Sequence, residues 1–563
     1  MDESVWIMTP PQREARRLAV ELGLPPEIAQ VLVNRNIHHP QEAQKFLFGK
    51  LDHLHDPYLM TGMEKSVERL RRAISRKEKV LIFGDYDVDG VLSVVVLTKA
   101  LSSLGLEVDY YIPNRLEEGY GIKEEYIDIA VKKKADLVMS VDCGIKANAF
   151  VDRATREKID VIITDHHLPG RDLPAALAIL NPALPGSAYP DRRLAGIGVV
   201  FKLIQALFGG QKKLSSLPHY LKMVSIGTIA DIAELRGENR LFVRYGLKGL
   251  EEVSNQGLLN LLGICGLGGK EISVGDVGFR IGPRINAAGR MGLADLAVEL
   301  FLSPSPRKTQ EIVCRLDSLN SKRQRIEEKI YNQVLDLIKG RSLDQRYRIL
   351  IMGCEEWHRG VIGIVASRIK DLYHRPVLLF SYEDRRAYGS GRSISEFSLI
   401  DCLEENRDYC LNYGGHRLAA GCELEREKMG FLKKGLNEWA HSRLKEEHLR
   451  RKIYIDAKIE FTDIDYSFVE KHSLLSPFGV GNPKPLFLTQ KVEVVSRPKR
   501  MKGRHCKFLV KQNGRVLEAL GWRRGEWTDI IYQGMMLDVV YSFHFSQYLG
   551  EEKLSLAVED IKI

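Results

Sequence analysis

The sequence predicts an α/β protein built on a parallel sheet, with an all-β domain in its C-terminal part. Three observations predict it. Short apolar runs alternate with helical stretches between residues 79 and 185, a charged amphipathic segment spans 306–339, and closely spaced strands begin near 453. Strands alternating with helices of this length imply βαβ units and a parallel sheet covered on both faces.

The apolar runs are "KVLIFGD" (79–85), "VDYYIPN" (108–114), "DLVMSVD" (136–142), "DVIITD" (160–165) and "ALAILNP" (176–182), each read as a buried strand. Helical stretches 91–103, 122–134 and 146–158 separate them. Residues 1–78 read as mostly helical and by default pack around this unit; residues 197–263 also read as helical. The segment 306–339 has no internal glycine or proline, and as a helix it would run roughly 50 Å. Its apolar spacing is not a sustained heptad, so it reads as a connector between two lobes. A second α/β region follows, with "RILIMG" (348–353), "PVLLFSY" (376–382) and the glycine-rich "YGSGRS" (388–393) and "YGGHRLAAG" (413–421). The last strands, about five in roughly 110 residues, suit a small barrel or sandwich. The expected divisions are a helical region 1–70, a catalytic domain 71–300, a connecting helix 301–345, a smaller α/β domain 346–450 and a β domain 451–563.

A chain of 563 residues is too long for one ordinary domain. With 44% apolar and 28% charged residues it reads as globular rather than disordered. No apolar run approaches the roughly 20 residues that cross a bilayer. "MDESVWIMTPPQREARRLAV" lacks a signal peptide's apolar stretch, and a cytoplasmic location is expected. The eight cysteines form no CxxC pair, which argues against a zinc knuckle or a disulfide framework. A net charge of +9 permits a polyanionic partner without establishing one.

"GDYDVDG" (84–90) places Asp85, Asp87 and Asp89 at alternate positions before Gly90, like the first half of an EF-hand loop. That loop needs a bidentate glutamate at its twelfth position and a helix before its first. Here Val96 occupies the twelfth position and a strand precedes, so the EF-hand reading fails. A solvated polar turn is the bland alternative. Against it, Asp142 ends the run "MSVD", and Asp165, His166 and His167 follow "VIIT". The C-terminal ends of parallel strands share one sheet edge, where ligand sites form. Asp85, Asp87, Asp89, Asp142, His166 and His167 should therefore converge on one crevice. Asp231, in the apolar helical stretch "MVSIGTIADIAEL", is costly to bury unless it is paired or holds a metal.

Carboxylates mixed with imidazole, without thiolate, favour Mn²⁺ or Mg²⁺. Several anionic ligands in one crevice can hold two such ions about 3.5–4 Å apart, the arrangement that hydrolyses phosphate esters. No GxSxG or Cys–His pattern supplies a protein nucleophile.

In order and spacing, "GDYDVDG", "VDCG", "TDHH" and "IGTIADI" resemble the four motifs of the DHH phosphoesterase superfamily. "YIPNRLEEGYG" (111–121), "PRINAAGRMG" (283–292), "WHRGVIGIVASRI" (357–369), "GSGRSISEFSL" (389–399), "GGHRLAAG" (414–421) and "PFGVGNPKPLF" (477–487) extend the likeness to its RecJ-type single-strand-specific exonucleases, from about residue 45 to the C-terminus. The resemblance implies 5′-to-3′ degradation of single-stranded DNA to mononucleotides in repair and recombination, with two Mn²⁺ or Mg²⁺ ions. By motif, Asp87, Asp89, Asp142, His166 and Asp231 would be metal ligands, Asp142 bridging. Asp85 and Asp165 would be ligands or close supporting groups. His167 would ligate, or face the scissile phosphate and assist the leaving oxygen.

The same resemblance places Arg115, Arg290, Ser390 and Arg392 toward the DNA and its 5′-phosphate end, where guanidinium forks suit phosphate. The glycines of "GSGRS" and "GGHRLAAG", among them Gly414 and Gly415 beside His416, let backbone approach phosphate closely. Trp357 and His358 would stack on bases or position phosphate, with core packing the ordinary reading of a lone tryptophan. In "RPKRMKGRHCK" (497–507), Lys499 and Arg500 belong to a run of six basic residues without an acid. With Trp522, Phe543, Phe545 and Tyr548 on later strands, this fits an OB-fold groove for single strands. A single-stranded-DNA-binding protein is a partner implied by the family alone. The rival readings are a DHH phosphodiesterase for short oligonucleotides or cyclic dinucleotides, a DHH pyrophosphatase, and a non-catalytic DNA-binding scaffold.

Overall fold

Five short, mostly apolar strands line up in parallel in the order Glu107–Tyr111, Lys79–Gly84, Leu137–Val141, Asp160–Thr164, Ala178–Leu180. A computed structural model describes residues 4–114, 118, 121–209, 217–548 and 551–563 of the chain. Both faces of the sheet are covered, so the strand period of two sorts alternate side chains into two cores. Val80, Ile82, Leu137, Met139 and Ile162 face one core with the helices Val88–Ser103 and Gly196–Leu207. Leu81, Phe83, Val138, Val161 and Ile163 face the other, with Ile127–Lys132 and Asn148–Arg156. Helix Val88–Ser103 is apolar nearly all round and correspondingly central. In register, Gly84 lies beside Val141 and Val141 beside Thr164, so Asp85, Asp142 and Asp165 leave the sheet at one edge.

The connector is one helix, Pro306–Arg341, started by Ser305, whose hydroxyl accepts from the Lys308 amide. Its 36 residues span about 54 Å. Ile312, Val313 and Leu316 are buried in the core of the first lobe, Ile330, Val334 and Ile338 in that of the second. The second lobe has a five-stranded sheet in the order Asn412–His416, Ala419–Glu425, Arg386–Arg392, Val377–Glu383, Leu350–Cys354. The two glycine-rich stretches fall on three adjacent strands of it, Ser390 opposite Gly421 and Gly421 opposite Gly414.

At the C-terminal end, Phe487–Val494, Met536–Tyr548, Glu551–Lys562, Arg515–Gly521 and His505–Gln512 pair in succession. Glu493 and Val494 then pair with Lys511 and Val510, which closes a five-stranded barrel of OB type.

The N-terminal region departs from expectation. Strand Val5–Met8 pairs in parallel with Lys452–Ile455, and Leu18, Ile28, Leu32 and Leu47 share a core with Phe461, Phe468 and Phe487 of the barrel domain. Only from Leu51 onward do early residues pack into the core of the catalytic sheet. Helical periodicity reports that a segment has a face to bury, not which domain buries it.

Arginines fasten this N-terminal and barrel unit to the catalytic lobe. Arg240, 2% exposed, donates to the carbonyls of Phe46, Leu474, Ser476 and Pro477 at 2.7–3.2 Å and lies 3.8 Å over the Phe46 ring. Arg236 donates to the Arg35 and Gly481 carbonyls, and the Leu235 amide to Val480. The segment "PFGVGNPKP" is therefore a docking joint.

His472 lies beside that joint, 3% exposed among Phe478, Phe487, Phe543 and Phe545, with neither ring nitrogen hydrogen-bonded among the described residues. Burial, followed by the charges of Arg35 and Lys484, pulls its pKa from 6.5 to about 4. Between those values the unfolded chain takes up a proton that the folded one refuses, so stability falls as pH drops through this window. The full effect is about 3 kcal/mol. Thermal melts of wild type and His472→Phe should agree above pH 7 and diverge toward pH 5, the variant losing less. Parallel pH curves would contradict this.

Candidate active site

The loop after strand Lys79–Gly84 turns directly into helix Val88–Ser103. Asp87 caps that helix, its carboxylate accepting from the Gly90 amide at 3.0 Å. Asp89, wholly buried one turn in, accepts from the Gly196 and Ile197 amides at 2.7 and 2.8 Å. Those amides begin helix Gly196–Leu207, whose N-terminus favours a negative group. Burial nevertheless pushes Asp89 up to about 7, with the neighbouring Asp87 charge adding to the shift. Asp231 ends helix Pro218–Ala230, and burial, then Asp89 and Asp87, raises it to about 9.

Asp142 follows strand Leu137–Val141 with φ +59°, a left-handed conformation that aspartate tolerates better than most residues. It is 1% exposed, and its Oδ1 has no hydrogen-bond donor among the described residues. The same holds for His166 Nε2, which lies 3.1 Å from that oxygen. Burial, then the His167 charge, lowers His166 to about 4, so it is a neutral imidazole and the contact is not an ion pair. The two atoms thus stand side by side without a hydrogen bond in this geometry, and each can turn a lone pair to a common ion. That spacing matches neighbouring ligands of one octahedral ion with bonds near 2.1 Å, which stand about 3 Å apart. Gly196 completes the gap, since a Cβ there would lie 2.6 Å from Asp142 Oδ1.

Three sets of ligand atoms lie within 4.8 Å of one another: Asp85, Asp87 and Asp142; Asp89, His166 and Asp231; and Asp142, His166 and His167. Asp142 and His166 each belong to two of them. Burial, then Asp89, Asp87, Asp85 and Asp231, raises the Asp142 carboxyl well above its ordinary value. Carboxylates so placed fit two hard divalent cations.

Asp165 has the contacts of a supporting group, one of the two roles expected of it. Its Oδ2 accepts from the Ile145 amide, and its Oδ1 from the amides of His166 and His167 and from His167 Nδ1 at 2.8 Å. With four donors on its two oxygens and no place in the three ligand sets, it orients His167. Burial alone would lower the His167 pKa, but the Asp165 hydrogen bond and charge outweigh it and raise the value.

Above these groups opens a cavity of about 1160 Å³ between the two lobes. Asp85, Asp87, Asp231 and His167 line one wall; Arg392 and the strand carrying Gly414, Gly415 and His416 line the other. Arg290 lines it too and donates to the Gly360 carbonyl at 2.9 Å, which ties the lobes together. A smaller cavity of about 380 Å³ shares Arg392, Gly414 and Gly415 and adds Ser390 and Arg359. Helix Arg359–Tyr373 comes close only because Gly363 has no side chain: a Cβ there would stand 2.7 Å from Ser390 Oγ.

Other expected contacts lie elsewhere. Trp357 is 2% exposed in the core and donates from Nε1 to Gln333 at 2.8 Å, so it stacks on no base. His358 caps helix Arg359–Tyr373, its Nδ1 accepting from the Gly360 amide. Of that motif it is Arg359, with Gly360 and Ile362, that reaches a cavity; sequence reading passed over Arg359, which packs on the Tyr388 ring. Asn286 and Lys146 line the larger cavity and were also unmarked, since neither sits in an acidic motif. Lys499 and Arg500 lie exposed on the barrel, Arg500 donating to Thr528 and Asp529. Phe543 is barrel core, whereas Trp522 is half-exposed between His505 and His544. Arg115 lies outside the described residues.

Comparison with known proteins agrees with this arrangement. The model described as DHH family, N-terminal domain, matches residues 79–228, the DHHA1 domain model 346–442 and the RecJ OB domain model 455–560. The fold and the acidic sheet edge thus define a DHH-family protein. The chain is 35% identical to the single-stranded-DNA-specific exonuclease RecJ of Bacillus subtilis, over 99% of this chain and 70% of that protein. It is 32% identical to the Escherichia coli RecJ, over 96% of each. It belongs to the RecJ family. The crystal structure of Thermus thermophilus RecJ with Mn²⁺ superimposes with a TM-score of 0.84 at 29% identity, covering 99% of this chain and 79% of that one.

Proposed function

We propose that this protein is a single-stranded-DNA-specific exonuclease that hydrolyses phosphodiester bonds from the 5′ end and releases 5′-mononucleotides. The observation that carries the reading is the three ligand sets linked through Asp142 and His166, set in a cavity whose far wall bears Arg392. Asp85, Asp87, Asp89, Asp142, His166 and Asp231 would hold two Mn²⁺ or Mg²⁺ ions. Bound there, such ions supply neutralisation of phosphoryl charge and acidify the attacking water. Asp165 accepts from His167 Nδ1, which turns Nε2 toward the cavity. The Asp165 hydrogen bond favours the protonated form of His167, in which it would give a proton to the leaving 3′-oxygen.

Arg392 and Ser390, with Gly414 and Gly415 beside them, form a place for a terminal phosphate, Arg392 through its fork of donors. A phosphate seated there sets the polarity of degradation. A passage wide enough for one strand excludes a duplex. The docked barrel, with half-exposed Trp522, favours long strands over dinucleotides. Action in DNA repair and recombination, in the cytoplasm and alongside a single-stranded-DNA-binding protein, accords with this activity; no helix among the described residues is long and apolar enough to cross a membrane.

The test is a Mn²⁺-dependent digest of 5′- and 3′-labelled single strands, with a blunt duplex as control. Mononucleotides should appear at once from the 5′ label, and the duplex should persist. A duplex degraded as fast as the single strand, or early release from the 3′ label, would overturn the proposal.

A further inference from the structure

Helix Pro218–Ala230 ends in a Schellman turn: the Ala233 amide donates to the Thr228 carbonyl and the Ile232 amide to Ile229. The residue at the left-handed position of such a turn is usually glycine. Here it is Ile232, at φ +62°. Among the described non-glycine residues with positive φ it is the only β-branched one. A branched Cβ makes this conformation costly, and residues held in it cluster at functional sites. Nothing in packing accounts for the isoleucine, because its side chain is 68% exposed. It is exposed into the active-site cavity, immediately after Asp231. Leu168, 65% exposed and immediately after His167, lines the same cavity.

Two large aliphatic side chains are thus presented to water beside the acidic cluster, one of them at a position that strains the backbone. Burial of that surface against a ligand would return the hydrophobic free energy that folding leaves unused. Neither side chain has a donor for phosphate. A nucleobase offers an apolar face whatever its identity, and in a single strand that face is free to meet a side chain.

Resting on the nuclease reading above, we propose that Ile232, together with Leu168, is a positioning residue that packs against an unpaired nucleobase beside the scissile phosphate. The contact holds the phosphate over the metal ligands without reading sequence, and it is denied to bases that remain paired and stacked.

The test uses the full chain with Mn²⁺ and three proteins: wild type, Ile232→Gly and Ile232→Val. Glycine suits the left-handed turn, so the Ile232→Gly melting temperature should equal or exceed that of wild type. Its kcat/KM on a single-stranded oligonucleotide should fall about tenfold, the share of one buried branched side chain. Ile232→Val, which keeps the branched surface, should stay close to wild type. On an oligonucleotide with abasic sites at its terminal positions, wild type and Ile232→Gly should converge. Undiminished kcat/KM in Ile232→Gly would overturn the proposal. So would a deficit that persists on the abasic strand, which would place the contact on the sugar, or a fall in melting temperature that accompanies the lost rate. Failure of wild type to degrade the single strand would count instead against the nuclease reading.

Discussion

Asp142→Asn is expected to abolish cleavage and, with chelator present, to raise the melting temperature. Both effects come from one geometry. Asp142 Oδ1 lies buried, without a donor, 3.1 Å from a neutral His166 and close to Asp85 and Asp87. Shared between two ligand sets, it is the group whose loss disturbs both sites together. An amide keeps the shape but removes the negative charge and one of the two oxygen donors, and a fall in kcat of roughly a thousandfold or more follows from losing metal alignment. Without metal, however, the carboxylates of Asp85, Asp87, Asp89, Asp142 and Asp231 oppose one another at the edge of a buried core. Asp142→Asn removes a carboxyl that the folded chain must either hold charged against its neighbours or protonate, and so stabilises it by on the order of 1–2 kcal/mol. Single-strand binding, measured by fluorescence anisotropy in chelator, should persist because the arginine wall is untouched. Retained cleavage would show that Asp142 does not bridge; a lower metal-free melting temperature would show that its charge is compensated within the protein.

Arg240→Met is expected to produce the largest loss of stability outside the cores. The substitution keeps an apolar stem but strips donors from the carbonyls of Phe46, Leu474, Ser476 and Pro477. Buried acceptors left unpaired cost about 1–3 kcal/mol each before relaxation, and water entering the joint will recover part of this. A net loss of about 3 kcal/mol or more is expected, and calorimetry should resolve it as separate melting of the barrel and catalytic units. Because no residue of the acidic cluster is a partner of Arg240, cleavage of a short oligonucleotide should suffer less than degradation of a long strand. Equal losses on both substrates would contradict the view that the joint serves only to place the barrel.

How far the sequence could be read follows from what each signal measures. Short apolar runs revealed the sheet, because its central strands are buried on both faces. The convergence of Asp85, Asp142 and His166 followed from topology, since parallel strands end on a common edge. Burial by another domain has no local signature, which is why the helices of residues 13–48 were assigned to the wrong neighbour. Asp165 and Asp142 occupy equivalent strand ends, and only the amide donors of Ile145, His166 and His167 separate a buttress from a ligand. In "WHRG" the tryptophan drew attention by its chemistry, yet a helix start turns it inward, makes the histidine a cap and leaves Arg359 facing the cavity.

The pairing of Val5–Met8 with Lys452–Ile455 has a consequence for biosynthesis. Residues 5–47 leave the ribosome more than four hundred positions ahead of the strands that bury them. Their apolar faces must wait, uncovered, while the catalytic lobe, the long helix and the second lobe are made. Contacts of such sequence separation slow folding and prolong exposure to aggregation. The final assembly step is then the capture of an early segment by a late one, and a chaperone that shields those first helices should improve the yield of native chain more than one acting on the barrel alone.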